Sequence, residues 1–186
     1  TEFDDNRQAI INPEDLHEPL EVFPKIAVSC FSRMTFQRML DMFPHELIYE
    51  TSIANVAIPI YKLVIDEKEL ALFNAPVGAS ACVAILEDIF ALGAEKLVLF
   101  GTCGVLDEDI KETSIIIPSH ALRDEGTSFH YVEASDEIAV NVGVLDRFRS
   151  YLNERQISHK EGKVWTTDGI YRETSAKLKV RKAAGA

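Results

Sequence analysis

The strongest constraint on the fold is a strand–helix–strand pattern between residues 69 and 100. The stretch ELALFNAP (69–76) has the composition of a strand, and apolar residues from Cys82 to Phe90 recur at the spacing of a helix with one buried face. The run KLVLF (96–100) follows closely. Because neither strand alternates polar with apolar residues, the pattern predicts a parallel βαβ unit covered on both faces. Ser80 is the predicted N-cap of the helix, and Gly93 is predicted to end it.

The remaining sequence predicts an α/β fold with one central, twisted, mostly parallel sheet flanked by helices. Residues 1–24 are acidic and contain three prolines, which indicates an N-terminal arm before a single domain over 25–186. The further predicted elements are a strand at 25–30, a helix at 33–42, strands at 46–50 and 55–64, a polar turn at 65–69, a strand at 114–118, an amphipathic helix at 138–152 and a strand at 162–168.

Composition narrows the possible partners. The 186 residues carry a formal net charge of −11, and a basic surface for nucleic acid or an anionic membrane is therefore not expected. The N-terminus TEFDDNRQAI is acidic where a signal peptide would be basic and then apolar, and we expect a cytoplasmic protein. The three cysteines follow neither metal-binding nor disulfide-rich spacing, and no metal site is expected.

Ligands of open parallel sheets collect where the strands end at their carboxyl side. Four predicted strand ends carry suggestive residues: Ser29–Arg33, Val77–Ser80, Gly101–Gly104 and Trp165–Gly169. The amides of residues 101–104, the Thr102 hydroxyl and the Arg33 guanidinium together suit a small oxyanion. Neither a G-x-x-x-x-G-K-[ST] loop nor a G-x-G-x-x-G turn is present, which disfavours nucleoside triphosphates and dinucleotides.

Three stretches together resemble the nucleoside phosphorylase family, which includes purine nucleoside and uridine phosphorylases and methylthioadenosine nucleosidases. They are GTCG (101–104), RDEGTSFHY (123–131) and WTTDGIYRET (165–174), and the resemblance runs from about Lys25 to the end. It implies a nucleoside phosphorylase-like fold and a homo-oligomer, either dimer or hexamer. It also implies that phosphate attacks C1′ of a purine or pyrimidine nucleoside and releases base and ribose 1-phosphate. Inorganic phosphate is then a co-substrate, and no other cofactor is expected.

The resemblance assigns roles to ten residues. In place of the family's usual glycine, Ser29 begins the loop that leads to Arg33, and Ile170 stands where many members stack an aromatic ring on the base. The phosphate-binding residues implied are Ser29, Arg33, Gly101 and Thr102. The nucleoside-binding residues implied are Cys103, Gly104, Thr167, Asp168, Ile170 and Arg172.

Departures from the family pattern leave three functions open. Leu99 stands where many phosphorylases carry an arginine, and Thr174 and Ala176 replace the Gln and Arg that hold pyrimidines. A Met-Glu pair that grips the ribose in relatives has no counterpart here, so no catalytic residue is assigned. We expect a truncation or a true absence, with little turnover from these 186 residues alone. Phosphorolysis is the leading interpretation; the alternatives are hydrolysis by water and a non-catalytic nucleoside-binding protein.

Overall fold

The computed structural model describes residues 3–111 and 115–186, so Ser114, the first residue of the strand predicted at 114–118, and the first two residues of the predicted arm lie outside it. The chain divides into two compact units, Asn6–Thr102 and Cys103–Ala186, the latter joined by Thr1–Asp5. The single domain expected over 25–186 stays a prediction.

The first unit is built on a five-stranded sheet in the order β2-β3-β4-β1-β5. Strand β1 pairs in parallel with β4 and β5, whereas β2, β3 and β4 form antiparallel pairs, so the sheet is mixed. The bounds of its elements are α1 Pro13–Leu16, β1 Ile26–Cys30, α2 Arg33–Met42, β2 His45–Ile53, β3 Val56–Ile65, β4 Lys68–Asn74, α3 Ala79–Ala91 and β5 Lys96–Phe100.

The predicted βαβ unit is confirmed, with β1 lying between its two strands. Strand β4 leads through α3 to β5, and both strands run parallel to β1. Successive residues of a strand face opposite sides of a sheet, and Leu72 therefore packs with Phe36 and Leu40 of α2, while Phe73 packs with Ile85 of α3. Helices thus flank the sheet on both faces.

Strand β5 departs from the prediction of cover on both faces. It is an edge strand of the five-stranded sheet, and Val98, Leu99 and Phe100 are about 40% exposed (42%, 38% and 41%). The prediction was wrong at this strand, because a run of apolar residues reports what a strand could bury and not which neighbours cover it.

Turn chemistry explains the remaining connections of the first unit. Asp66 and Glu67 both have positive φ, as a two-residue hairpin loop of type I′ requires, and this confirms the predicted polar turn. Gly93 follows α3 with a φ of +126° and ends the helix as predicted. The predicted N-cap Ser80 was wrong: the helix begins two residues earlier than that cap implies, at Ala79, and Gly78, with a φ of +110°, occupies the cap position.

Part of the predicted N-terminal arm packs firmly on the first unit. Phe23 is buried in the core, and the amide of Leu20 donates to the carbonyl of Leu92. His17 lies 3.0 Å from the Asp88 carboxylate of α3 and forms a hydrogen bond with the Tyr49 hydroxyl. The arm therefore closes one side of the α3 layer.

The second unit contains a three-stranded sheet in the order β7-β6-β8, with β6 and β8 parallel. Ile117 of β6 packs against Leu145 and Leu152 of α4 to form a small core. The bounds of the elements are β6 Ile115–Asp124, a 3-10 turn Thr127–His130, β7 Glu137–Ala139, α4 Val142–Glu154, β8 His159–Thr167, a 3-10 turn Ile170–Arg172 and α5 Ser175–Ala183.

The helix predicted over 138–152 begins later than expected. Asn141 caps α4 by accepting a hydrogen bond from the amide of Val144, and residues 137–139 instead pair with β6 as strand β7. The α/β architecture with sheets flanked by helices is confirmed. None of the helices in the described ranges combines the length and apolar character needed to cross a membrane.

Replacing Ser29 with alanine is expected to destabilise the first unit by about 1–3 kcal/mol, because two buried hydrogen bonds are lost and the Ala75 amide keeps only its bond to the Cys30 carbonyl. The Ser29 hydroxyl is fully buried, donates to the Phe73 carbonyl at 2.9 Å and accepts from the Ala75 amide at 3.1 Å. Urea denaturation measures the change. The exposed Ser52→Ala is the control, expected within about 0.5 kcal/mol of wild type; equal losses in both variants would contradict the assignment.

Candidate functional site

The carboxyl ends of β1, β4 and β5 meet at one edge of the first sheet. Cys30 is in register with Asn74 on one side and with Phe100 on the other. The loops that follow these strands therefore leave the sheet side by side. The loop after β1 leads to Arg33, and the loop after β5 begins with Gly101 and Thr102.

A close contact at this edge explains why residue 101 is a glycine. A Cβ atom at Gly101 would lie 2.9 Å from Cδ2 of the Phe31 ring. Any larger residue would have to displace this ring, whereas glycine lets the two loops approach each other. The Phe31 ring thus forms one wall of the bend predicted to receive the oxyanion.

Side-chain hydrogen bonds hold the ends of β1 and β4 together. The Asn74 side-chain amide donates to the Cys30 carbonyl at 2.6 Å, next to the two bonds of the Ser29 hydroxyl. Because a serine hydroxyl has a single hydrogen to donate, Ser29 in this arrangement keeps none for an anion. The role expected of Ser29 in phosphate binding stays a prediction, and its observed contacts support the strand ends.

Arg33 and Thr102 present donors at the same edge. Arg33 is the first residue of α2, directly after the N-cap Ser32, and both Arg33 and Thr102 are exposed. Within residues 3–111 and 115–186, neither an ion pair nor a hydrogen bond engages the Arg33 guanidinium. The guanidinium and the Thr102 hydroxyl are therefore available to an anion from solvent.

In the second unit, the predicted residues Thr167 and Asp168 shape a turn at the end of β8. The Asp168 carboxylate accepts a hydrogen bond from the Gly126 amide at 3.0 Å, and its own amide donates to the Asp124 carbonyl at 3.1 Å. The Thr167 hydroxyl accepts from the Gly169 amide at 3.2 Å. These bonds join the turn after β8 to the loop after β6.

The predicted base-facing residues lie on the 3-10 turn that follows. Ile170 is 65% exposed, and Arg172 is exposed as well. A Cβ atom at Gly169 would lie 3.3 Å from the Arg172 side chain. The glycine therefore lets Arg172 pack closely against the backbone at the start of the turn. Thr167, Asp168, Ile170 and Arg172 thus lie together at and just after the end of β8, and their roles in nucleoside binding stay predictions.

A buried arginine that was not singled out from the sequence organises the loop after β6. Arg123 is 6% exposed and donates to the Ser128 hydroxyl at 2.8 Å and to the Glu133 carbonyl at 2.8 Å. Its guanidinium also stacks 3.8 Å from the centre of the Phe129 ring. The stretch RDEGTSFHY contained this signal, since an arginine opening a polar loop can donate to several of its carbonyls at once.

Asp124 forms a second polar centre between β6, β8 and α5. Its carboxylate accepts from Trp165 Nε1 at 3.1 Å and from Lys177 Nζ at 3.2 Å, and it lies 3.4 Å from the Arg181 guanidinium. Partial burial alone would raise the pKa of Asp124, but hydrogen bonds from Lys177, Trp165 and Thr167 outweigh it and hold the pKa below its ordinary value.

A cleft of about 180 Å³ in the second unit borders two further predicted residues, Cys103 and Gly104. Trp165 contributes an aromatic wall, and Lys160 and Lys163 contribute cations. Across the described ranges, no three His, Cys, Asp or Glu side chains come together as metal ligands would. Apolar side chains make up most of the lining of the cleft, so it is a largely apolar recess beside the predicted sugar-facing residues.

Comparison with known proteins identifies the class that this fold defines. The family model described as the Phosphorylase superfamily matches residues 25–186, and the chain belongs to this superfamily. Structural likeness agrees: uridine phosphorylase from Vibrio fischeri ES114 superposes with a TM-score of 0.76 at 18% identity, over 96% of this chain and 75% of that one. At this identity, the likeness concerns the fold.

The curated relatives match shorter parts of the chain. A DeoD-type purine nucleoside phosphorylase from Brevibacillus brevis is 31% identical over 83 residues, which are 44% of this chain and 35% of the relative. A uridine phosphorylase from Treponema pallidum is 25% identical over 59% of this chain and 42% of its own length. A methylthioadenosine/S-adenosylhomocysteine nucleosidase from Helicobacter pylori shares the fold, with a TM-score of 0.67 at 18% identity over 88% of this chain and 72% of that one. The matches span less than half the length of the two curated relatives.

The lowered pKa of Asp124 predicts how Asp124→Asn affects stability at different pH values. The Asp124 carboxyl binds its proton more weakly in the folded protein than in the unfolded chain. Its charge therefore stabilises the fold at pH values above the unfolded-state pKa of about 3.9. This stabilisation is lost as the pH falls through the lower pKa of the folded state. At pH 7 we expect the free energy of unfolding of Asp124→Asn to be about 1–2 kcal/mol lower than that of wild type. The change is modest because the ion pairs of Asp124 are partly exposed to solvent.

Urea denaturation at pH 7 and at pH 3 tests this expectation. The difference between wild type and Asp124→Asn should shrink at the lower pH. Lys179→Gln, an exposed change on α5, is the control and should stay within about 0.5 kcal/mol of wild type. A difference that persists undiminished at pH 3 would show that the lost charge is not its cause.

Proposed function

We propose that this protein is a nucleoside phosphorylase that uses inorganic phosphate to cleave the N-glycosidic bond of a purine or pyrimidine nucleoside. The observation that carries the proposal is the shared edge of β1 and β5, where the loops bearing Arg33 and Thr102 leave the sheet side by side. Membership of the Phosphorylase superfamily supports it. Because the aligned part of the curated relatives is short, the activity of the whole protein is part of this proposal.

The proposed reaction forms one bond and breaks another. A phosphate oxygen bonds to C1′ of the sugar while the bond from C1′ to the base nitrogen breaks, and the base takes the electron pair and a proton. The products are ribose 1-phosphate and free base. Catalysis of this kind depends on placing the anion near C1′ and on electrostatic stabilisation of the oxocarbenium-like transition state. Arg33 and Thr102 would hold the phosphate, with the amides at residues 101–104 as further donors.

On the nucleoside side, we propose that Cys103 and Gly104 border the sugar, while Thr167, Asp168 and Arg172 surround the base. Ile170, which is 65% exposed, would offer an aliphatic surface to the base. Aliphatic contact gives little discrimination between purine and pyrimidine rings, and Thr174 and Ala176 add no amide or guanidinium to read a pyrimidine. We further propose a homo-oligomer, dimer or hexamer, because the family resemblance implies it, and we propose separately that the protein is cytoplasmic.

Hydrolysis of the nucleoside is the second candidate, and one residue favours it. Leu99 lies beside Ser29 at the end of β5, where an arginine would add a second cation to the anion site. With one cation fewer, water could replace phosphate as the nucleophile. The fold is compatible with both reactions, since a nucleosidase and a futalosine hydrolase from Helicobacter pylori share it.

The two reactions differ in their need for phosphate. A panel of inosine, guanosine, adenosine and uridine, assayed for base release with and without phosphate, separates them. Release that requires phosphate, with ribose 1-phosphate as the second product, supports phosphorolysis. Release that is unaffected when phosphate is removed indicates hydrolysis, and nucleoside binding without release of base indicates a non-catalytic relative.

Arg33→Ala is expected to weaken phosphate binding on the order of tenfold, because a charge-assisted contact to an anion contributes about 1.5–3 kcal/mol. Nucleoside affinity should change less than about twofold. Isothermal calorimetry with each ligand measures both values.

Arg38→Ala is the matched control, since Arg38 is exposed on the same helix and its removal changes the net charge equally. It should bind phosphate like wild type. Equal losses of phosphate affinity in both variants, or equal losses for phosphate and nucleoside in Arg33→Ala, would remove Arg33 from the site.

A further inference from the structure

The carboxylate of Asp124 connects both ends of the turn predicted to face the base. This turn, residues 168–174, begins after β8 and ends where α5 starts. On the β8 side, Asp124 accepts from Trp165 Nε1, and its carbonyl accepts from the Asp168 amide. On the α5 side, the Asp124 carboxylate accepts a hydrogen bond from Lys177 Nζ and lies 3.4 Å from the Arg181 guanidinium.

Helix α5 has little else to hold it. None of its side chains is buried, and its apolar residues Leu178 and Val180 are 37% and 61% exposed. An amphipathic helix usually gains its stability from a buried apolar face, which α5 lacks. The polar contacts with Asp124 therefore contribute much of what holds α5 to the rest of the second unit. The Arg181 guanidinium, 5.6 Å from the centre of the Trp165 ring, adds a weak cation–π contact.

We propose that Asp124 is a positioning residue for the nucleoside, which fixes the turn carrying Ile170 and Arg172 by holding α5 against the end of β8. This inference rests on the proposed function. It assigns Asp124 no contact with the substrate: the carboxylate acts through Lys177, Arg181 and Trp165. Loss of its charge frees one end of the turn, and the nucleoside must then order that turn when it binds.

This role predicts a selective loss. Phosphate binding depends on Arg33 and Thr102, which belong to the first unit, whereas Ile170 and Arg172 belong to the second. Asp124→Asn is therefore expected to weaken nucleoside binding on the order of tenfold while phosphate affinity changes less than about twofold. A purely structural role would lower the folded fraction and reduce binding of both ligands alike.

The chain contains a single tryptophan, Trp165, which reports on this network directly. We would titrate wild type, Asp124→Asn and the control Lys179→Gln with inosine, guanosine and uridine, following Trp165 fluorescence and calorimetric heat. Phosphate is titrated in parallel, and circular dichroism verifies the fold. Lys179 lies on the same helix and is exposed, so Lys179→Gln should bind like wild type.

Lys177 provides a second pair of variants that keeps the test decisive if Asp124→Asn does not fold. Lys177→Met removes one cation from Asp124 and should weaken nucleoside binding severalfold. Lys177→Arg retains the cation and should restore most of the affinity.

The outcomes separate the inference from the function on which it rests. Wild-type nucleoside affinity in a folded Asp124→Asn, or equal losses for nucleoside and phosphate, overturns the positioning role and leaves the proposed function standing. Failure of wild type itself to bind any of the nucleosides overturns the proposed function, and the inference with it. Selective loss in Asp124→Asn and Lys177→Met, with recovery in Lys177→Arg, supports the positioning role.

Discussion

The parallel pairing of β1 with both β4 and β5 is the constraint on which the candidate phosphate site depends. It brings three strand ends to one edge, and the Ser29 hydroxyl and the Asn74 amide hold two of those ends together. Because hydrogen bonds of buried backbone groups are costly to break, the edge is a rigid base for its loops. The loops themselves are exposed and end in groups that suit an anion, Arg33 and Thr102.

The second unit obtains its order in a different way. Its apolar core is small, centred on Ile117, Leu145 and Leu152. Two charged residues at the end of β6 supply much of the remaining organisation: Arg123 holds the loop that follows β6, and Asp124 holds the turn after β8 together with α5. Because hydrogen bonds within such polar networks are costly to lose, single substitutions of these residues should affect the local geometry first.

The sequence predicted the features that follow from periodicity. The helix at 79–91 lies close to its predicted bounds, and the hairpin turn at Asp66 and Glu67 and the end of β5 before Gly101 lie where the sequence predicted them. Periodicity could not show what covers each strand, and the exposure of β5 was missed for that reason. The predicted helix over 138–152 included part of the short strand β7, because three residues are too few for alternation to distinguish a strand from a helix.

The roles of the candidate site residues stay predictions, and the contacts that surround them could not be predicted from the sequence. The family pattern pointed to Thr167 and Asp168, but the hydrogen bond from Gly126 to Asp168 joins residues 42 positions apart, and no local pattern predicts it. The same holds for the Phe31 ring against Gly101 and for the bond between Trp165 and Asp124. Such contacts depend on the register of the parallel strands, which spacing alone does not reveal.

A crystal structure of the protein grown or soaked with phosphate and a nucleoside tests the central claim most directly. Phosphate is expected at the edge between β1 and β5, within hydrogen-bonding distance of the Arg33 guanidinium and the Thr102 hydroxyl. Phosphate bound elsewhere, or an edge that stays closed by Phe31 and holds no anion at saturating phosphate, would contradict it.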